Sequence, residues 1–152
     1  MLPTPTKFTL VAGAGEGYTP LNAFDRALLE ARAGNVNLIR VSSILPPGAE
    51  YVEELALPPG ALVPVAYGAT TSSTPGDTIA AAVAVGIPAE GFGVIMEYSG
   101  HTSRLEAERI IRQMVEESFA IRGLELKKYM VKSVEHQVIK NGAVFAGILL
   151  WY

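Results

Sequence analysis

Cysteine is absent from this 152-residue chain, and histidine occurs only twice. The first absence excludes a disulfide framework, a thiolate nucleophile and any cysteine-ligated zinc or iron–sulfur centre. The second leaves too few imidazoles for a histidine-rich metal site, and no metal is expected. Charge is scarce too: Asp, Glu, Lys and Arg make up 18% of the sequence, against about 25% in ordinary domains, while 49% is apolar. That balance excludes intrinsic disorder, which needs low hydrophobicity and high charge. A net charge of −3 offers no basic surface to nucleic acid or to an anionic membrane. Long apolar runs are missing as well. The uncharged stretch that starts at Leu55 is broken by Pro58, Pro59, Gly60, Pro64 and Gly68, so no run of about 18 residues reads as a membrane-spanning helix. The opening residues, Met1 to Pro5, have neither the basic nor the apolar segment of a secretory leader, and a cytoplasmic location is the expectation. What is abundant is apolar surface. A mean hydropathy of +0.29 is high for a small soluble monomer and points to subunit contacts.

The length suits one domain, residues 1–152, with a core of its own. Residues 7–12 read as a strand and Gly13–Gly17 as a loop. Thr19 is placed to cap a helix that has Pro20 at its first position, carries Leu21, Phe24, Leu28 and Ala31 at helical spacing, and stops near Gly34. Residues 37–44, 62–69, 78–87 and 93–98 read as strands, separated by Pro/Gly-rich or Ser/Thr-rich loops. Ser103 and Glu106 form a capping box opening a helix that ends at Gly123. Residues 124–138 and 143–151 read as two strands around Lys140-Asn141-Gly142, a hairpin signal. Two long helices with six or seven strands make an α+β sandwich.

Several residues could carry chemistry. Gly13-Ala14-Gly15-Glu16-Gly17 lies between a strand and a helix, where a phosphate cradle would. It lacks the Gly-Lys-Ser/Thr ending and holds an acidic residue, so a tight turn is the expectation. No G-x-S-x-G elbow accompanies His101 or His136, and both are read as structural or solvated. Asp25 shares a helical face with Leu21, Phe24 and Leu28. It is either the edge of an amphipathic helix or a buried anion that receives a cationic group. Glu97, inside Val94–Tyr98, shares a strand face with Ile95 and Ser99. It is either a solvent-facing glutamate or a carboxyl whose raised pKa suits a general acid. Ser42 and Ser43 close a strand just before Ile-Leu-Pro-Pro. They are ordinary strand-end hydroxyls, or a hydroxyl that attacks the preceding carbonyl, turning a peptide into an ester that eliminates and hydrolyses to a pyruvoyl group.

The stretch Gly34–Pro47 (GNVNLIRVSSILPP) closely resembles the self-cleavage segment of pyruvoyl-dependent arginine decarboxylases. Gly15–Asp25, Gly60–Gly68, Gly93–Tyr98 and the closing Leu150-Trp151-Tyr152 are similar to the same family, in the same order and without a large insertion.

The resemblance implies a four-layer αββα sandwich and a proenzyme that cuts itself between Ser42 and Ser43. The products are a β chain, 1–42, and an α chain, 43–152, whose first residue becomes a covalent pyruvoyl group; neither pyridoxal phosphate nor a metal is called for. It implies decarboxylation of L-arginine to agmatine and CO2, through an imine with that group, as in polyamine biosynthesis or acid resistance. Active sites lie between subunits of an (αβ)3 trimer or a dimer of trimers. By the same matching Glu97 donates the proton, Asp25 holds the guanidinium, and Asn37 assists processing together with Ser42 and Ser43. Leu21, Gly34, Val36, Ser42 and Ile44 are substrate-binding walls. A straight strand separates Asn37 from Ser43 by about 20 Å, so its help requires a bend or a subunit contact. Two other readings stay open: a pyruvoyl decarboxylase of another amino acid, and an unprocessed oligomer that binds a cationic ligand.

Overall fold

A computed structural model describes residues 1–152 as nine strands and two helices. Their order is β1 (Lys7–Glu16), α1 (Pro20–Glu30), β2 (Asn37–Arg40), β3 (Ile44–Leu45), β4 (Glu50–Tyr51), β5 (Leu62–Ser72), β6 (Thr78–Ile87), β7 (Gly93–Gly100), α2 (Arg104–Arg122), β8 (Lys128–Gln137) and β9 (Gly142–Trp151). A five-stranded sheet runs β2-β5-β9-β1-β4 and a four-stranded sheet runs β3-β7-β6-β8.

Three separate cores stack these elements into four layers. The inner core joins the sheets: Phe8 and Leu10 of β1, Ile148 and Leu150 of β9, and Ile79, Val83 and Val85 of β6 meet there. A second core lies between α1 and the five-stranded sheet, built on Ala23, Ala27, Val65 and Phe145. A third lies between α2 and the four-stranded sheet, built on Ala80, Ala82, Ala84, Ile111, Val115 and Phe119. The architecture is therefore the expected αββα sandwich. Strand β6 is apolar throughout because both of its faces are buried; its odd positions enter the inner core and its even alanines face α2. No helix is long and apolar enough to cross a membrane.

Helix α2 begins and ends where its sequence signals fall. Ser103 caps it by accepting from the Glu106 N–H at 3.2 Å, and Gly123 stops it with φ +66°. The capping box is only half made, since the Glu106 carboxylate turns to Arg109. Thr19 caps α1 as expected, accepting from the Asn22 N–H.

Four expectations need correction. The glycines from 13 to 15 belong to β1. A Cβ at Gly13 would lie 2.2 Å from the Ala27 carbonyl oxygen, and one at Gly15 2.7 Å from the Arg26 Cβ. These residues are glycine because α1 lies directly on that face of the strand. This contact draws the smallest side chains, Ala23 and Ala27, to the sheet and turns Leu21 and Asp25 out to solvent. Asp25 is therefore not on the buried face. Helix α1 also ends four residues before Gly34, and Arg32 rather than Gly34 takes the left-handed conformation. Gly34 instead leaves room for Leu29, 2.6 Å from where its Cβ would be. Finally, Asn141-Gly142 makes no hairpin. Strand β8 pairs with β6 and β9 with β1 and β5, so the turn carries the chain from one sheet to the other.

Candidate active site at the crossing between the sheets

The segment read as one strand, 37–44, is two. Strand β2 lies parallel to β5 on the edge of the five-stranded sheet, and β3 lies antiparallel to β7 on the edge of the four-stranded sheet. Residues 41–43 cross between them. The Val41 N–H donates to the Val65 carbonyl at 2.9 Å, and the Ser43 carbonyl accepts from the Ile95 N–H at 2.7 Å. Between these two bonds, neither the Ser42 carbonyl nor the Ser43 N–H has a backbone partner. The Val41–Ser42 and Ser42–Ser43 peptides are thus held by neither ladder. Ser42 and Ile44 are exposed and Ser43 is half-buried.

Glu97 lies two residues beyond Ile95 on β7. Alternation puts it on the same face as Ile95, which is in the inner core. Its side chain keeps 27% of its exposure, at the open edge of a cleft of ≈ 530 Å³ lined by Phe24, Arg40, Tyr67, Glu97, Tyr98 and Ser99 among others. Burial raises its carboxyl above the ordinary glutamate range, and the Arg40 charge opposes this only in part. The two sheets come close here: a Cβ on Gly68 would sit 3.3 Å from the Tyr98 backbone, and the Ser99 hydroxyl donates to the Ala69 carbonyl at 2.9 Å.

Arg40 is the neighbour that the sequence reading missed. One of its Nη atoms donates to the Tyr67 carbonyl at 2.7 Å, its guanidinium lies 4.4 Å from the Tyr67 ring centre, and it comes within 3.9 Å of a Glu97 oxygen. Arg40 is a lone cation among apolar residues 38–41, just as Glu97 is a lone anion in 94–98. Those two isolated opposite charges were the available signal.

Asp25 lies elsewhere in the chain. It lines an exposed cleft of ≈ 800 Å³ with Glu16, Tyr18, Asn22 and Arg26. Phe24 lines the Glu97 cleft, so neighbouring residues of α1 look into different clefts. Leu21, on the same exposed face, is 78% accessible. Val36 and Leu38 pack against the α1 core. Asn37 is exposed at the start of β2, its amide donating to the Gly60 carbonyl at 3.1 Å, and within one chain it is not drawn to the Ser42–Ser43 peptide.

Glu16 is a structural anion. Its carboxylate accepts from the N–H groups of Ile139, Lys140 and Asn141 and pairs with His136 at 2.6 Å. Burial pushes its pKa up, but these hydrogen bonds together outweigh burial and hold it below the ordinary range. His101 faces Asp77 at 3.3 Å.

The chain matches the family described as pyruvoyl-dependent arginine decarboxylase over residues 7–148. A protein of that name from Methanocaldococcus jannaschii is 54% identical over 150 residues, which cover 97% of this chain and 91% of that protein. Its namesake from Methanococcus aeolicus is 47% identical over the same shares. The Pyrococcus horikoshii protein is 46% identical over 153 residues, covering 97% of this chain and 96% of that one. With the sandwich and the crossing already in view, full-length identity at this level makes the chain a member of the pyruvoyl-dependent arginine decarboxylase family.

Proposed function

We propose that this protein cuts itself between Ser42 and Ser43 and then decarboxylates L-arginine to agmatine and CO2. The observation that carries the reading is the Ser42–Ser43 peptide, which both ladders leave unbonded at the edge where Glu97 lies. In self-cleavage the Ser43 hydroxyl attacks the Ser42 carbonyl carbon. The peptide C–N bond breaks as the ester C–O bond forms. Loss of the Ser43 α-proton expels Ser42 as a free carboxylate and leaves dehydroalanine. Water then replaces its nitrogen, which departs as ammonia, and a pyruvoyl group remains on Ile44.

The residues present fit such a group. The Ile95 N–H already donates to the Ser43 carbonyl, the one that would lie beside the ketone, so its position is fixed before the cut. When formed, the group supplies an electron sink for the bond to the departing carboxylate, work that pyridoxal phosphate does elsewhere. The protein's own residues do the rest. Glu97, whose carboxyl burial raises above the ordinary glutamate range, returns a proton to the substrate α-carbon. Asp25 receives the guanidinium, a planar cation that suits two parallel hydrogen bonds to a carboxylate. Leu21, Gly34, Val36, Ser42 and Ile44 shape the walls.

Asp25 and Glu97 line different clefts of one chain, and Asp25 and Leu21 are exposed. This supports a site completed by a neighbouring subunit, as in an (αβ)3 trimer or a pair of trimers; a cytoplasmic location is part of the same proposal. Asn37 then reaches a processing site only in that assembly. Intact mass gives the direct test. Two fragments, 1–42 and 43–152, are expected, the larger blocked at its terminus and reduced by borohydride. One unreactive chain of 16.1 kDa would overturn the reading.

A further inference from the structure

Arg40 is unlike the other arginines near the surface. It ends the edge strand β2, two residues before Ser42, and its guanidinium is held on two sides by Tyr67: the backbone carbonyl at 2.7 Å and the ring face at 4.4 Å. A planar cation held by a carbonyl and an aromatic face keeps its place without a carboxylate partner. Glu97 is nevertheless within 3.9 Å. That separation is too long for a direct hydrogen bond and short enough for charge to act strongly at a half-buried site. No other charge faces Glu97 within the chain. Strand β5 offers Tyr67, β7 itself Tyr98 and the Ser99 hydroxyl, β6 the apolar Val83, and α1 the apolar Phe24.

We propose that Arg40 is a positioning residue for Glu97, which it holds at the edge of the cleft while setting the pH range over which Glu97 keeps its proton. Glu97 sits between two opposed influences, burial that favours the neutral acid and a fixed cation that favours the carboxylate. An acid that must give up a proton and regain it each turnover needs both. Burial favours the acid before the transfer, and the cation steadies the carboxylate left after it. The inference rests on the reading of Glu97 as the proton donor.

The test compares wild type with Arg40→Gln and Arg40→Lys. A rate that depends on protonated Glu97 falls as pH rises through its pKa. Without the cation that pKa goes up. In Arg40→Gln the alkaline limb of kcat is expected to move up by about half to one pH unit, with the plateau rate lowered and the arginine KM little changed. Arg40→Lys restores part of the limb's position, because it keeps the charge but loses the planar seat on Tyr67. An alkaline limb that stays in place in Arg40→Gln would overturn the proposal. If Arg40→Gln also slows self-cleavage, the same question is answered in uncleaved Ser43→Ala protein by carboxyl 13C NMR of Glu97, with and without Arg40→Gln. An upward shift of the titration supports the proposal, and an unmoved one overturns it. Glu97→Gln separates the two ideas. Full-rate decarboxylation by that variant defeats the proton-donor reading, whereas a slow Glu97→Gln with an unmoved Arg40→Gln titration defeats only the role of Arg40.

Discussion

The chain passes between its two sheets four times, and the crossings at 41–43 and 138–141 are built in opposite ways. At 138–141 every exposed N–H is taken up: Val138 bonds to Asp77, and Ile139, Lys140 and Asn141 all donate to the Glu16 carboxylate, which also holds His136. The Asn141 side chain adds a bond to the Tyr18 carbonyl. At 41–43 the ladder bonds stop on either side, and the central peptide joins two serines with no backbone partner for its carbonyl or its N–H. One corner is tied for shape. The other is anchored at both ends and left free in the middle, which suits the proposed self-cleavage. A peptide outside both ladders can turn to meet a hydroxyl without breaking a sheet hydrogen bond.

The contrast is sharpest if the free corner is disarmed. Ser43→Ala removes the attacking hydroxyl, and mass spectrometry should find a single uncut chain without decarboxylase activity; ordinary cleavage would move the reactive serine elsewhere. Glu97→Gln leaves the corner intact and removes only the acid beside it. Cleavage should proceed while kcat falls about 10²–10⁴-fold. In wild type, kcat should decline as pH climbs through the raised pKa of Glu97. Asp25→Asn keeps both corners and removes one charged hydrogen-bonding partner. The arginine KM should rise about 10–100-fold with cleavage unaltered. The smallest effect on chemistry is expected from the tied corner. Glu16→Gln should cleave and turn over normally but lose about 1–3 kcal/mol of stability in urea titrations. The sign with pH follows from the lowered pKa of Glu16. Its stabilisation is complete above the ordinary glutamate range and is lost as pH falls through the lower, folded value, so the acid sensitivity of wild type should be blunted in the variant.

Most local signals in the sequence proved reliable, the stop expected at Gly34 excepted, and signals that depend on a distant partner did not. The caps Thr19 and Ser103, the stop at Gly123 and the face that Glu97 shares with Ile95 each follow from residues a few positions apart. The glycines at 13 and 15 were misread because residues without side chains mark no face. Their period of two becomes meaningful only once Ala23 and Ala27 lie on them. Asn141-Gly142 is good turn chemistry, but turn chemistry does not say whether the next strand joins the same sheet. Asp25 seemed apolar-facing by spacing, since a helical wheel cannot show that the contact face consists of alanines. The pairing of Arg40 with Glu97 brings β2 and β7 together across the gap between the sheets, and no window of sequence contains both. The serine pair drew weight from the resemblance of whole segments, because two adjacent serines carry no signal of their own.

Strand β1 lies inside the five-stranded sheet, flanked by β9 and β4, and pairs with β9 from Lys7 to Glu16. The proposed scission at the 42–43 bond would therefore separate nothing in space. The shorter piece would stay threaded through the middle of the longer one, with Phe8 and Leu10 in one core and Ala23 and Ala27 in another. A molecule cut there would be in effect a two-part lock, in which a backbone break alters chemistry at a single point and the remaining ladder keeps the halves from drifting apart.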